Sequence, residues 1–144
     1  MLDGNSGRTS TNAYQSFLKD IAIGKPKTIL WMMGMNDEDT STAINSSWKT
    51  YFDLLKTKCN TLGIRLIACT IPNTPERTNY YKNQYIKNSG VRYIDLSGEL
   101  GCSDTVQGSY GYGNNMGHDG THTGNAGRLL TAMILSKEIS MLNN

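Results

Sequence analysis

Thr28-Ile29-Leu30-Trp31-Met32-Met33-Gly34-Met35-Asn36-Asp37 is the stretch whose reading decides the fold. From Thr28 to Met33 it is a short apolar run without alternation, bounded by Pro26 before and Gly34 after. Such a run reads as a strand covered on both faces, central to a parallel sheet. On its downstream side, beyond a polar loop from Gly34 to Thr42, Ile44, Trp48, Tyr51, Phe52, Leu55, Cys59 and Leu62 recur at helical spacing until Gly63. Ile64 to Thr70 then reads as a second strand closed by Pro72, and Val91 to Leu96 as a third. The polar residues 73–90 between them carry a weak helical pattern around Tyr81, Tyr85 and Ile86. Upstream, Ser10 or Thr11 caps a predicted helix with Ala13, Tyr14, Phe17, Leu18 and Ile21 on its apolar face, stopped by Gly24 and Pro26. A last helix is predicted with Ala126, Leu129, Leu130, Met133 and Ile134 on its inner face. Strands alternating with helices over short joints predict an α/β domain, with a parallel sheet between two helical layers.

A chain of 144 residues is the size of one domain, so residues 1–144 are expected to form a single unit. Its 14 basic and 12 acidic residues are mixed along the sequence and form no phosphate-tracking stripe, which argues against nucleic acid as a partner. Cys59, Cys69 and Cys102 are odd in number and lack CxxC spacing, so neither a disulfide framework nor a cysteine zinc site is expected. No apolar run approaches the roughly 20 residues of a membrane span. Residues 1–7 show no signal-peptide core. Gly111 to Gly117 superficially matches a dinucleotide fingerprint, but its last spacing is wrong and no strand-to-helix turn surrounds it. No cofactor is expected.

The chemistry concentrates in His118-Asp119-Gly120-Thr121-His122, which holds both histidines of the chain around one carboxylate and precedes the last helix. Two imidazoles beside an Asp suit either proton transfer or metal binding. A metal site would have only these three side chains to draw on, with no further histidine to complete a shell. Gly34-Met35-Asn36-Asp37, taken alone, is an ordinary turn ending a strand. Gly4-Asn5-Ser6-Gly7-Arg8 is not a nucleophile elbow, because Arg8 stands where glycine is required and no apolar strand precedes it. In a parallel sheet ligands gather at the carboxyl ends of the strands, where the Asn36 loop and the His118 to His122 corner are both expected.

Taken in order, the pieces resemble the SGNH (GDSL-like) hydrolases. Gly4-Asn5-Ser6-Gly7-Arg8-Thr9-Ser10 is similar to that family's second motif block, Gly34-Met35-Asn36-Asp37 to its third, and Asp119-Gly120-Thr121-His122 to its last, with Gly127 five residues on. The resemblance spans nearly the whole chain. It implies a flavodoxin-like three-layer sandwich with sheet order 2-1-3-4-5. It also implies hydrolysis of an ester through an acyl-enzyme, with His122 as general base, Asp119 as its orienting carboxylate, and Gly7 and Asn36 as oxyanion-hole donors.

The family's first block, a nucleophilic serine on a turn after an N-terminal strand, has no counterpart here. The resemblance therefore implies that the nucleophile and the N-terminal strands, including the central neighbour of the Thr28 to Met33 strand, come from an upstream segment of the same protein or from a complementing chain. The segment from Ser97 to Gly120 is long and without period, which in a compact domain marks a functional or a disordered loop. Its Tyr110, Tyr112 and Asn114 offer aromatic faces and an amide suited to a carbohydrate ester substrate. The competing reading is a carbohydrate-binding or structural module that keeps the fold without catalysis.

Overall fold

A computed structural model describes residues 7–74, 77–102, 122 and 124–142. Within them the chain runs α1 (Ser10–Ile23), β1 (Thr28–Trp31), α2 (Ser46–Leu62), β2 (Arg65–Cys69), α3 (Tyr80–Asn88), β3 (Arg92–Ile94), α4 (Leu96–Glu99) and α5 (Asn125–Leu142). The strands pair in parallel in the order β1-β2-β3, with Thr28 opposite Arg65, Trp31 opposite Ala68 and Cys69 opposite Ile94. Among the described residues β2 is thus the central strand and β1 stands at an edge, bonded to β2 alone.

The period of two along the strands divides the core. Ile29, Trp31 and Met33 with Leu66 and Ala68 meet α1, α2 and α3 on one face, while Leu30, Ile67, Cys69 and Ile94 meet α4 and α5 on the other. Both faces of β1 are covered, which is why its sequence could dispense with alternation, and of the apolar run only Met32, beyond the end of β1, is exposed. The first face is built around Trp48 and Phe52, stacked at 5.0 Å and fully buried, with the Tyr85 ring edge-on to both. Asn45 caps α2 by accepting from the Trp48 N–H at 2.9 Å.

Four sequence expectations shift. The cap of α1 is Thr9, whose N–H and hydroxyl both donate to Asn12 Oδ1 (3.2 and 2.9 Å), and neither Ser10 nor Thr11 fills that role. Ser10 is engaged elsewhere. The first strand ends at Trp31 and not at Met33, because the Met33 carbonyl leaves the ladder to accept the Trp48 indole N–H at 2.9 Å. The stretch after Ser97 is not structureless at its start: Asp95 caps the single turn of α4, and Leu100 and Cys102 are buried beyond it. On α5 the inward stripe is Gly127, Leu130, Ile134 and Leu135, while Leu129 and Met133 are exposed. The helix is apolar on more than one side, so periodicity alone places its face about a quarter of a turn away.

The Asp95 carboxylate fastens β3 and α4 to β2. It accepts from the Thr70 hydroxyl at 2.8 Å and the Gly98 N–H at 3.3 Å, and pairs with Lys87 at 3.2 Å. The Thr70 oxygen in turn accepts the Ser97 N–H at 2.8 Å. Burial acts to raise the Asp95 pKa, but the Thr70, Lys87 and Gly98 hydrogen bonds together hold it below its ordinary value of 3.8. A carboxylate depressed in the folded state adds stability above its unfolded pKa and loses it as pH falls through the folded one. Asp95→Asn is therefore expected to lower the urea midpoint at neutral pH, with the gap to the parent closing as pH is taken below about 4, a comparison made by urea titrations at several pH values.

Candidate active site

Where β1 leaves the sheet the chain must turn sharply against α2, and Gly34 permits it. Its φ is 137°, and a Cβ there would lie 2.4 Å from Ile71 Cδ1 and 2.7 Å from Trp48 Nε1, so no side chain fits in conformation or in space. The turn closes when the Asp37 N–H donates to the Gly34 carbonyl at 3.1 Å. This delivers Asn36 exposed and Asp37 buried.

Asn36 meets the turn that carries Gly7. Its Nδ2 donates to the Arg8 carbonyl at 2.9 Å, while its Oδ1 accepts from Arg77 Nη1 at 3.1 Å. Gly7 itself is exposed with φ 75°. The two loops are fastened directly beneath, where Asp37 Oδ2 accepts the Ser10 N–H at 2.8 Å and Oδ1 the Ser10 hydroxyl at 2.9 Å. Ser10 is wholly buried and Asp37 nearly so, a setting in which a charged hydrogen bond holds its geometry well.

A second anchor comes from α3. Lys82, with no exposed surface, donates through Nζ to the Asp37 carbonyl and pairs with Asp39 at 3.5 Å. Asp39 also accepts the backbone N–H groups of Asn45 (2.8 Å) and Lys82 (3.0 Å). Burial pushes the Lys82 pKa down, and the Asp39 and Asp37 charges oppose that shift.

Of the residues singled out in the sequence, the structure brings Asn36 and the Gly7–Arg8 turn together at the carboxyl end of β1. His122 is exposed and lies just ahead of α5. Asp119, His118, Tyr110, Tyr112 and Asn114 lie outside the described residues, as do the metal reading and the sugar-contact reading that rest on them. At the carboxyl ends of β1 and β2 a cavity of about 200 Å³ is lined by Met32, Met35, Cys69, Thr70, Ile71, Pro72, Leu96, Leu100 and Thr131. Burial pushes the Cys69 thiol there up to about 12 and the Cys59 thiol up to about 11. Neither is a thiolate nucleophile at neutral pH. Among the described residues no helix is long and apolar enough to cross a membrane.

No family model matches the chain, and no curated protein does. Solved structures do. A GDSL-like lipase from Bacteroides thetaiotaomicron superposes with a TM-score of 0.75 at 15% identity, over 97% of this chain and 75% of that one. The fold is that of the GDSL-like hydrolases. A candidate acylhydrolase from Bacteroides fragilis gives a TM-score of 0.71 at 14% identity, over 96% of this chain and 73% of that one. A candidate lipolytic protein of the G-D-S-L family from Desulfitobacterium hafniense gives 0.68 at 13% identity, over 91% and 75%. The GDSL-like fold places the carboxyl end of β1, and with it Asn36, where an open α/β sheet gathers its ligands.

The sequence marks Ser10 only as a candidate helix cap and does not single out Asp39, Arg77 or Lys82. One signal was present: Lys82 stands three and four residues before Tyr85 and Ile86, on the apolar stripe of α3, where a charged side chain needs a buried partner. Arg77 gave no signal, since its partners are 41 and 42 residues away.

Proposed function

We propose that this chain is the carboxy-terminal part of a serine ester hydrolase of the SGNH type, acting on a small acyl ester through an acyl-enzyme. The observation that carries the reading is the Asn36 amide held against the Gly7–Arg8 turn at the carboxyl end of β1, within a GDSL-like fold. In this reading the nucleophilic serine arrives on an upstream segment, whose strand pairs with the outer edge of β1. His122 takes the serine proton as the hydroxyl oxygen attacks the ester carbonyl, then gives it to the departing alcohol. Asp119 fixes the imidazole tautomer and stabilises the imidazolium. The Gly7 N–H and the Asn36 amide face the oxygen that becomes negative in the tetrahedral intermediate. Water, activated by the same histidine, then releases the acid.

The apolar cavity beside Met35 offers the acyl group a dry wall. Tyr110, Tyr112 and Asn114 are the candidates for holding a sugar alcohol, which makes a carbohydrate O-acetyl ester the preferred substrate class. The test compares this chain with the protein extended through its upstream reading frame, on p-nitrophenyl acetate and on an acetylated polysaccharide. Hydrolysis confined to the extended protein is the expected result. Inactivity of both would favour a non-catalytic carbohydrate-binding module, and hydrolysis by the 144-residue chain alone would place the nucleophile within it.

A further inference from the structure

We propose that Arg77 is a positioning residue for the Asn36 amide: its guanidinium decides which edge of that amide faces the reacting centre and strengthens the N–H offered there. The inference rests on the SGNH reading of Asn36. One guanidinium nitrogen, Nη1, donates both to the Met35 carbonyl at 2.9 Å and to Asn36 Oδ1 at 3.1 Å. An asparagine amide has one accepting and one donating edge of nearly equal shape, so nothing in its packing alone selects the orientation. A cation on one side selects it, because a flipped amide would set its own N–H groups against those of the arginine. The opposite edge is fixed as well, with one Nδ2 hydrogen spent on the Arg8 carbonyl at 2.9 Å. The amide plane is then held from both sides, and the second Nδ2 hydrogen is aimed by geometry already in place before substrate arrives.

The arginine is itself held. Thr74 and Arg77 exchange backbone hydrogen bonds at 3.0 and 3.2 Å, and the Thr74 hydroxyl also accepts the Arg77 N–H at 3.1 Å. Behind them the buried Asn79 donates its N–H to Asn73 at 2.6 Å and its amide to the Pro72 carbonyl at 2.8 Å. Charge reinforces the effect of position. A hydrogen bond from a cation to Oδ1 draws electron density through the amide and makes Nδ2 a stronger donor toward a developing oxyanion.

The test uses Arg77→Ala and Arg77→Lys in the extended protein, alone and combined with Asn36→Ala. In Arg77→Ala, kcat on p-nitrophenyl acetate is expected to fall about tenfold with KM changed less than about twofold, as for loss of a contribution made mainly in the transition state. Lysine, whose ammonium keeps the charge and can donate to both acceptors but sits on a more flexible stem, should restore part of the loss. In the Asn36→Ala background Arg77→Ala should cost nothing further, and an equal loss there would overturn the proposal. Independent of any turnover, hydrogen exchange of the Asn36 side-chain amide followed by NMR should quicken about tenfold in Arg77→Ala. Unchanged exchange overturns the positioning role even if the esterase reading holds. Quickened exchange in a protein without esterase activity would keep the positioning role and reject the esterase.

Discussion

In the extended protein, His122→Ala is expected to abolish ester hydrolysis and Asn36→Ala to lower kcat about 100- to 1,000-fold, the usual loss for one oxyanion-hole donor. The two losses differ because the groups act differently. Without His122 nothing takes the serine proton, and the hydroxyl is a weak nucleophile at its own pKa. Without Asn36 the reaction keeps its nucleophile and base but forms the tetrahedral oxyanion with one donor fewer. Since that donor matters most once charge has developed, KM should change little and kcat should carry the loss. Asn36→Asp is the sharper control, because it keeps the size of the side chain and places a negative charge beside the oxyanion. It should be at least as slow as Asn36→Ala. His122 and Asn36 are both exposed, so neither substitution opens a cavity, and thermal midpoints should stay close to the parent. An Asn36→Ala protein with undiminished kcat would remove Asn36 from the oxyanion hole.

The fold was legible where the chemistry of burial is local. Thr28 to Met33 announced a doubly covered strand, and Ile29, Trp31 and Met33 pack into one core and Leu30 into the other, with Met32 left exposed. Asn45 and Gly63 bound α2 near where its period began and ended. What was not legible depends on partners distant in sequence. Met33 stops being strand because of an indole 15 residues on, and Thr9 caps α1 in place of Ser10 because Ser10 is taken by Asp37, 27 residues away. The face of α5 was misplaced because Leu129 and Met133 are as apolar as Leu130 and Ile134, and period cannot choose between two apolar stripes. For the site, the turn after the strand reads by itself as an ordinary one, and Asn36 stands out only through the resemblance of Gly34-Met35-Asn36-Asp37 to a family block. That its amide is clasped between Arg77 and the Arg8 carbonyl could not be read at all, since no local pattern links residues 8, 36 and 77.

Lys82→Met should be the most destabilising substitution in the neighbourhood of the site, lowering unfolding free energy by about 3 kcal/mol, at the low end of what breaking a buried ion pair costs. Methionine fills most of the space, so the loss is electrostatic and not a cavity. Lys82 has no exposed surface, and its departure leaves the Asp37 carbonyl without that donor and the Asp39 carboxylate without its cation. Two backbone N–H groups still reach Asp39, from Asn45 and from residue 82 itself, which keeps the loss from being larger. Adding Asp39→Asn should therefore hurt less in the Lys82→Met protein than in the parent, with a coupling of about 1–3 kcal/mol in a double-mutant cycle read by urea denaturation. Strict additivity would show that the two charges do not act as a pair. The consequence for function follows from the same bonds. Lys82 holds the Asp37 carbonyl while Ser10 holds the Asp37 carboxylate, so the residue beside Asn36 is pinned at its backbone and its side chain at once. Releasing the backbone end loosens the loop that aims the Asn36 amide, and Lys82→Met should lose kcat even at temperatures where it remains folded.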